Sequence, residues 1–358
     1  MLIAGSGEIA GMVSGGCLEQ DILCHVQQQT PPYRSFVITY DTTTEEDLLW
    51  GFGLGCDGVV SVLVEHLVVR VGVASASAEA SLEENRSHNP LTFIGECFDR
   101  QQSGVLATVF QVESNSPVPI GARLMLHFDG EIESNIDDVE LSVQIVADAQ
   151  IALHQQTTMH RQYDQSFGKI SVSIEVIQPP PHLVIFGAGR DVFPLAQFSK
   201  TLGWQLTIVD CRSLETSLDR FPMADRIILA RREEICRQVK INANTIAVIM
   251  THNYLDDLEI LRHLLTTPTR YIGVLGARQR TAKLLQDLVI TPEQFQQLHA
   301  PIGLDLGAET PEEIAIAIVA EIQAVITNRP AGFLKQQQSS IHLSQVSSQL
   351  NYADRSLT

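Results

Sequence analysis

The hydrophobic pattern changes character at Pro179-Pro180-Pro181. Beyond these prolines, short apolar runs alternate with segments of helical periodicity, as in a parallel sheet wound with helices. The strand-like runs are His182–Phe186, Gln205–Val209, Thr245–Met250 and Tyr271–Leu275, and the helical segments are Val192–Leu202, Leu255–Leu265 and Arg278–Leu288. Three consecutive prolines form a stiff spacer. We therefore predict a Rossmann-like α/β domain over 182–330, followed by a loose polar tail at 331–358.

The last helix of this domain is the best specified by sequence. Thr310 is a suitable N-cap, Pro311 fits the first helical position, and Glu313 completes a capping box. The apolar stripe of this helix consists of Ile314, Ile318, Ile322 and Val325.

Before the prolines, the pattern predicts an α+β domain over 1–178. Its strand signals are Ser35–Tyr40, Val59–Glu65, Gly104–Val112 and Arg123–Phe128. The stretch 1–27 is echoed at 124–150, where Gly130-Glu131-Ile132 aligns with Gly7-Glu8-Ile9 and Glu140 replaces Cys17. Related modules and chance similarity are both compatible with this echo. Because a strand precedes only the second copy, we expect the domain to be clipped at its N-terminus, with a further stretch upstream.

Composition narrows the class of protein. The 358 residues carry a formal net charge of −18, which disfavours nucleic acid as a partner. No apolar run approaches the roughly 18 residues of a membrane span, and the N-terminus has no signal-peptide pattern. Six cysteines are too few for a disulfide scaffold, so we expect a cytoplasmic protein without a membrane association. The absence of CxxC pairs and of Cys/His clusters argues against a structural zinc site.

Two cysteines lie in glycine-rich turns, Ser14-Gly15-Gly16-Cys17 and Gly53-Leu54-Gly55-Cys56. Glycines permit positive φ angles and leave a side chain uncovered, whereas packing cysteines sit among apolar residues. Exposed thiolates suit a soft metal or sulfur transfer. The alternatives are ordinary turn cysteines or a disulfide between the two. We interpret the other four, Cys24, Cys97, Cys211 and Cys236, as packing or incidental residues.

A glycine turn follows the first strand of the second domain. Gly187 permits the tight turn, and Gly189 would let a phosphate approach the following helix. Asp210 ends the second strand, where a ribose-binding acid is expected. This pattern predicts a nucleotide-like or pterin-phosphate ligand, although the third glycine is absent and the turn could serve packing alone.

Further polar residues follow the other strands. His252 comes after Thr245–Met250, and Arg278 and Arg280 come after Tyr271–Leu275. The carboxyl ends of parallel strands form the ligand crevice of such sheets, so these three residues are candidates for an anionic ligand. The alternatives are a loop histidine and solvated arginines. The loop that carries Asp305 and Glu309 brings two carboxylates to the same side.

Together these motifs resemble the XdhC/CoxI family, the accessory factors of xanthine dehydrogenase and related molybdenum enzymes. The matching stretches are Val13-Ser-Gly-Gly-Cys17-Leu-Glu19, Gly51-Phe-Gly-Leu-Gly-Cys56-Asp-Gly58, Val184-Ile-Phe-Gly-Ala-Gly189, Met250-Thr-His-Asn253, Ile272-Gly-Val-Leu-Gly276 and Pro301-Ile-Gly-Leu-Asp-Leu-Gly-Ala-Glu-Thr-Pro-Glu-Glu313. They extend over most of residues 1–330.

The resemblance implies a chaperone rather than an enzyme. Such a protein would bind molybdenum cofactor, support its sulfuration by a cysteine desulfurase, and deliver it to the apo-subunit of a molybdenum hydroxylase. The cofactor-binding residues implied are Cys17, Cys56, Gly187, Gly189, Asp210, His252, Arg278, Arg280 and Glu309, with Cys17 and Cys56 as contacts of the molybdenum. We also expect a homodimer.

Two other functions compete with this one. Gly187, Gly189 and Asp210 also suit an NAD(P)-dependent oxidoreductase, but that function leaves the glycine-flanked cysteines unexplained. A redox-sensing scaffold would instead use a disulfide between Cys17 and Cys56, detectable as a reducible mass shift of about 2 Da.

Overall fold

The computed structural model describes residues 1–14, 16–31, 33–41, 59–67, 89–113, 116–212, 219–230, 232–288 and 290–336. The glycine turn around Cys56, most of the acidic stretch at 41–47, the linker at 75–88 and the tail beyond 336 lie outside these ranges. The chain divides into two units, one covering Met1–Pro179 and one beginning at Pro180. The division falls within the triple proline.

The first unit is built around an antiparallel sheet. In chain order its elements are β1 (Leu2–Ile3), β2 (Ile9–Ala10), α1 (Cys17–Gln27), β3 (Phe36–Asp41), β4 (Val59–Val64), α2 (Pro90–Arg100), β5 (Gly104–Val112), β6 (Arg123–Leu126), β7 (Ile132–Ser134), α3 (Val139–Gln155), β8 (Met159–Gln165) and β9 (Gly168–Ile177). The main sheet has the order β7-β6-β5-β9-β8, while β1 pairs with β2 and β3 pairs with β4.

The core of this unit follows from strand alternation. Val105, Ala107 and Val109 of β5 are fully buried beneath α3, whose Leu141 and Ile145 are also fully buried. Because successive strand residues point to opposite faces, the intervening Leu106 contacts the other side, where Phe93 and Cys97 of α2 pack.

The two stretches that are similar in sequence, 1–27 and 124–150, each begin with a hairpin of the same geometry. Leu2↔Ala10 and Ile3↔Ile9 pair across the first hairpin, and Met125↔Glu133 and Leu126↔Ile132 pair across the second. Gly7 and Gly130 have φ angles of 89° and 90°. Each glycine amide donates to the carbonyl three residues before it, at 2.8 and 3.0 Å. Each hairpin leads into a helix, α1 or α3.

The second unit is a doubly wound sheet. Its elements are β10 (His182–Phe186), α4 (Val192–Thr201), β11 (Gln205–Asp210), β12 (Arg226–Leu229), α5 (Arg232–Gln238), β13 (Thr245–Ile249), α6 (Tyr254–Leu264), β14 (Tyr271–Val274), α7 (Arg278–Gln286), α8 (Pro292–Gln296), β15 (Leu298–His299), α9 (Pro311–Ile326) and a short 3-10 helix, Leu334–Gln336. The six strands are all parallel, in the order β12-β11-β10-β13-β14-β15.

Helices cover both faces of this sheet. Leu183 and Ile185 of β10 pack with α4 and α9, whereas Val184 and Phe186 pack on the side of α5, α6 and α7. Burial on both faces explains why these strands are continuously apolar rather than alternating. Each fully buried Leu or Ile side chain contributes about 1.5–3 kcal/mol relative to exposure.

The predicted fold class of this unit is confirmed, although the sequence did not predict β12, β15, α5 and α8. The sheet is the predicted Rossmann-like parallel sheet, and the α+β domain precedes it. Thr310 accepts from the amide of Glu313 and the Glu313 carboxylate accepts from the amide of Thr310, so the capping box is present. Ile318 and Ile322 of α9 are fully buried. Among the helices that the structure describes, none has the length and apolarity that crossing a membrane would require.

Candidate functional site

The order of the strands places a crevice between β10 and β13. The chain runs outward from β10 through β11 to β12 on one side, and through β13 to β15 on the other. In sheets of this kind ligands bind at the carboxyl ends of the strands, at the point where the order reverses. Two loops meet there, the glycine turn after β10 and the segment Met250–Asn253 after β13.

Gly187 is required by the contact between these two loops. Its φ angle is 137°, and a Cβ atom there would lie 2.3 Å from the carbonyl oxygen of Met250. Both the left-handed backbone and the approaching backbone oxygen exclude a side chain. The predicted tight turn is therefore present, and its glycine serves inter-loop packing.

Gly189 lies beneath a carboxylate. A Cβ on this residue would lie 2.3 Å from Oδ1 of Asp191, so the acid occupies the space directly over the glycine. Asp191 precedes α4, but its side chain makes no capping hydrogen bond to the helix. The carboxylate is instead turned towards the crevice, where a bound phosphate would be expected in a dinucleotide site.

His252 holds that carboxylate from the other loop. Its Nε2 atom lies 2.8 Å from Oδ2 of Asp191, and the pair spans the crevice. The His252 backbone has a φ angle of 60°, in the left-handed region that non-glycine residues seldom adopt. Such backbone strain is retained where the surrounding structure enforces it, frequently at functional sites.

These groups border a cleft of about 440 Å³ within the second unit. This volume lies in the ~300–1,000 Å³ range of small-molecule sites. Both charged and apolar side chains line the cleft. The lining residues are Arg190, Asp191, Leu195, Met250, His252, Leu275, Glu309, Pro311, Ile314, Ala315 and Ile318.

Glu309 reaches the cleft from the loop before α9. Its backbone amide donates to the Glu313 carboxylate at 2.8 Å, which fixes the loop against the helix. Hydrogen bonds from the amides of Thr310 and Glu309 hold the pKa of Glu313 below its ordinary value. The Glu313 carboxylate thus fixes the loop that carries Glu309 to the start of α9.

Asp210 lies on the other flank of the glycine turn. It ends β11 and is 1% exposed. Its Oδ1 accepts from the backbone amide and from Nε of Arg212, and Arg212 also donates to the carbonyl of Ala188. Arg220 donates to that same carbonyl. The acid is therefore at the predicted strand end, with its carboxylate engaged by an arginine.

The two candidate arginines after β14 have different surroundings. Arg280 forms an ion pair with Asp257, which is nearly fully buried and also accepts from the hydroxyl of Thr251. Arg278 begins α7 and is exposed, with no ion pair to any residue in the described ranges. Neither arginine lines the cleft.

The glycine-rich turn before Cys17 is partly described. Cys17 begins α1 directly after Gly16, whose φ angle of 114° requires glycine. The Glu19 carboxylate accepts from the amides of Val13 and Ser14 at 2.7 and 2.6 Å and from the Ser14 hydroxyl. The hydrogen bonds from Ser14 and then from Val13 lower the pKa of Glu19 to about 2. Cys56 lies outside the described residues.

Three of the other cysteines have described side chains and are free thiols: Cys24 is exposed, Cys97 is buried and Cys211 is partly buried. Burial, followed by the negative charges of Asp256, Asp210 and Asp257, raises the pKa of Cys211 to about 12. Burial likewise raises the pKa of Cys97. Neither buried thiol is a nucleophile at neutral pH, since the thiolate is the reactive form.

Of the predicted site residues, the structure brings His252 and Glu309 to one cleft, beside the turn of Gly187 and Gly189. Sequence reasoning missed Asp191 and the apolar walls. The available signal was that Asp191 follows the second glycine by two residues at the start of a helix. Sequence patterns assign the apolar lining residues to the core, because an apolar strand end or helix stripe has the same pattern whether it faces the core or a ligand.

The side chains present fit the ring system of a pterin better than they fit a metal. Among the described residues, no group of three or more His, Cys, Asp or Glu side chains could hold a metal ion. The cleft offers apolar walls to a flat ring and carboxylates to its N–H groups, and Arg190 at the same cleft is a cation for a phosphate.

Comparisons with known proteins agree with this architecture. The profile of the XdhC Rossmann domain matches residues 183–322, and that of the XdhC and CoxI family matches residues 97–164. A Bacillus subtilis strain 168 protein, named as a probable subunit of xanthine dehydrogenase, is 30% identical over 323 residues, covering 90% of this chain and 86% of its own.

Two further proteins are similar. The uncharacterized protein YqeB of Escherichia coli strain K12 is 32% identical over 171 residues, which are 47% of this chain and 31% of its own. A crystal structure described as a xanthine dehydrogenase from Bacillus halodurans has a TM-score of 0.68 and 26% identity, covering 94% of this chain and 87% of that one.

Proposed function

The chain belongs to the XdhC and CoxI family, and from this membership we propose that it binds molybdenum cofactor, supports its sulfuration and delivers it to a molybdenum hydroxylase of the xanthine dehydrogenase type. The family match and the name of the Bacillus subtilis relative support a role in enzyme maturation.

The cleft between β10 and β13 is the observation that carries this proposal. Its walls are apolar side chains of α4, α9 and the loops after β13 and β14, and its polar and charged groups come from the glycine turn, His252 and Glu309. An apolar pocket with a few convergent polar groups is the usual form of a small-molecule site. When bound, molybdenum cofactor would supply the metal and its sulfur ligands, while the residues of the chain bind and orient the pterin.

The glycine-rich turns that contain Cys17 and Cys56 support the sulfuration step. Cys17 begins a helix after a glycine in the left-handed conformation, and Glu19 fixes the chain on both sides of it. Thiolates are suitable ligands for soft metals. We propose that Cys17 and Cys56 contact the molybdenum or its transferable sulfur during loading.

The proposal includes two protein partners and a cellular location. A cysteine desulfurase would provide sulfur, and the apo-subunit of a molybdenum hydroxylase would receive the cofactor. The free thiols Cys24, Cys97 and Cys211 support a reducing compartment, for which we propose the cytoplasm. We further propose a homodimer, which light scattering after size exclusion would test.

Binding is tested with the full chain and with cofactor released from a molybdoenzyme. Cofactor that co-elutes with the protein is measured by the fluorescence of its oxidised pterin. We expect Ile314→Trp, which fills the cleft, to weaken binding at least about tenfold. Ile316→Trp is the matched control, since Ile316 is exposed on the same helix outside the cleft. Equal retention by both variants would exclude the cleft.

The thiols are tested by the same measurement. We expect Cys17→Ala and Cys56→Ala to lower cofactor retention, whereas Cys24→Ala, at an exposed position in α1, leaves it unchanged. Unchanged binding by both of the first two variants would refute the thiol role without touching the role of the cleft.

An NAD(P)-dependent oxidoreductase is the second candidate. It is favoured by the strand order of the sheet and by Asp210 at the end of β11. Against it, Asp191 lies over the glycine turn and Arg212 engages Asp210. Tight NADH binding together with turnover by the wild-type chain would favour this candidate.

A further inference from the structure

We propose that Asp191 selects the ligand of the cleft, because its carboxylate excludes a diphosphate from the glycine turn and accepts N–H groups from the edge of a planar heteroaromatic ring. This inference rests on the proposed function and adds to it. It names the part of a pterin cofactor that faces the turn and the residue that recognises it.

The exclusion follows from where the carboxylate lies. A dinucleotide diphosphate rests against the second glycine of such a turn and on the N-terminus of the next helix. Here Oδ1 of Asp191 is 2.3 Å from the Cβ position of Gly189, so that place is filled by a negative charge. Glu309 adds a second carboxylate to the lining of the cleft, which also contains Arg190. A diphosphate in that place would be repelled by the negative charge of Asp191.

The acceptor role follows from how the carboxylate is held. Oδ2 is fixed by His252 at 2.8 Å, whereas Oδ1 receives no hydrogen bond from any residue in the described ranges. Asp191 is 26% exposed and borders the apolar walls of Leu195 and Met250. An oriented carboxylate with an unused oxygen at the edge of an apolar cleft is a strong acceptor for neutral N–H donors.

A pterin ring has the matching chemistry. Its ring N–H and the neighbouring amino group form a row of two donors, as a guanidine does, and a carboxylate accepts such a row through both oxygens. The flat ring behind this edge would contact the apolar walls. A diphosphate has only acceptors to offer, so one side chain discriminates between the two ligand classes by the direction of its hydrogen bonds and by its charge.

The test uses the full chain with two probes, NADH and 6-hydroxymethylpterin, each followed by fluorescence titration. Asp191→Asn keeps the size of the side chain while it removes the charge and one acceptor. We expect this variant to bind NADH at least about tenfold more tightly and the pterin at least about tenfold more weakly than the wild type. Glu312→Gln is the matched control, since it removes one charge from α9 outside the cleft, and it should change neither affinity.

Both shifts in Asp191→Asn support the selection role, and an unchanged affinity for either probe overturns it. Asp191→Ser is a second variant with the same expected directions, and a urea unfolding curve checks that each variant is folded. Failure of the proposed function would be distinct. The wild-type chain would then retain no molybdenum cofactor, even while the exchange of probe preference at Asp191 persists.

Discussion

Asp191 and His252 join the ends of two adjacent parallel strands, with Oδ2 of the acid 2.8 Å from Nε2 of the imidazole. The pair lies at the carboxyl ends of β10 and β13, the two neighbouring strands between which the strand order reverses. His252 reaches this position with a φ angle of 60°, so the loop after β13 carries backbone strain at the place where the pair forms.

The strain at His252 predicts a difference between two substitutions. His252→Ala and His252→Gly both remove the pair with Asp191, which is worth about 0–1 kcal/mol at an exposed site. Only glycine also relieves the left-handed backbone, which costs other residues about 1 kcal/mol. We therefore expect the alanine variant to be about 1 kcal/mol less stable than the glycine variant in urea unfolding. Equal stabilities would contradict a strained loop.

Gly187 is predicted to be the least replaceable glycine of the second unit. A methyl group there would meet the backbone of Met250 and would also require a φ angle of 137°. We expect Gly187→Ala to cost about 3 kcal/mol or more in free energy of unfolding. Gly203→Ala is the control, because Gly203 has a φ angle of 76° but nothing within 4 Å of its Cβ position. That variant should cost only about 1 kcal/mol.

Glu321 predicts a loss of stability in acid. Burial acts to raise its pKa, but the hydrogen bonds from His299, Tyr271 and Gly303 outweigh it, and the net pKa lies below the ordinary 4.5. The unfolded chain therefore takes up this proton at a higher pH than the folded chain does. The contribution of Glu321 is complete above about pH 4.5 and is lost as the pH falls through the folded pKa.

Glu321→Gln tests this assignment. The amide cannot titrate, and we expect it to lower stability at pH 7 by about 1–3 kcal/mol, since it disturbs the contacts of the carboxylate with three partners. Between pH 5 and pH 3, urea midpoints of the variant should fall less steeply than those of the wild type. Parallel curves would show that other acids account for the acid sensitivity.

The free cysteines predict an order of alkylation. Cys24 is exposed, whereas Cys97 and Cys211 have raised pKa values because they are buried, about 12 for Cys211. With iodoacetamide at pH 8, we expect Cys24 to be modified in the folded protein and the other two only after unfolding in urea. Peptide mass spectrometry distinguishes the sites. Early labelling of Cys211 would mean that α6 or the end of β11 opens readily.

Glu19 predicts the rigidity of the turn before α1. Its carboxylate accepts from two backbone amides and from the Ser14 hydroxyl. We expect Glu19→Gln to accelerate hydrogen exchange at the amides of Val13 and Ser14. Glu8→Gln, in the exposed hairpin before this turn, is the control and should leave those amides unchanged.

The sequence was sufficient for the four central strands of the second unit, because local rules and burial agree there, but it did not predict the short edge strands β12 and β15 or the short helices α5 and α8. The apolar strands and the capping box of Thr310 and Glu313 all followed from patterns within a few residues. The side-chain network of the site did not, since it depends on distant partners. Asp191 and His252 are 61 residues apart, and Arg280 and Asp257 are 23 apart. Periodicity indicates which face of an element is buried, but it cannot give the partner that a charged side chain selects.

The two equivalent hairpins of the first unit suggest a division of labour within one chain. The second hairpin belongs to a five-stranded sheet and leads into α3, whose apolar side chains fill the core. Within the described part of the chain, the first hairpin forms a two-stranded ribbon, and it leads into the helix that starts with Cys17. The helix α1 also buries Leu18 and Ile22, so the first hairpin and its helix contribute to packing as well. The two hairpin–helix units thus differ at the start of the helix, where Cys17 stands in one and Glu140 in the other.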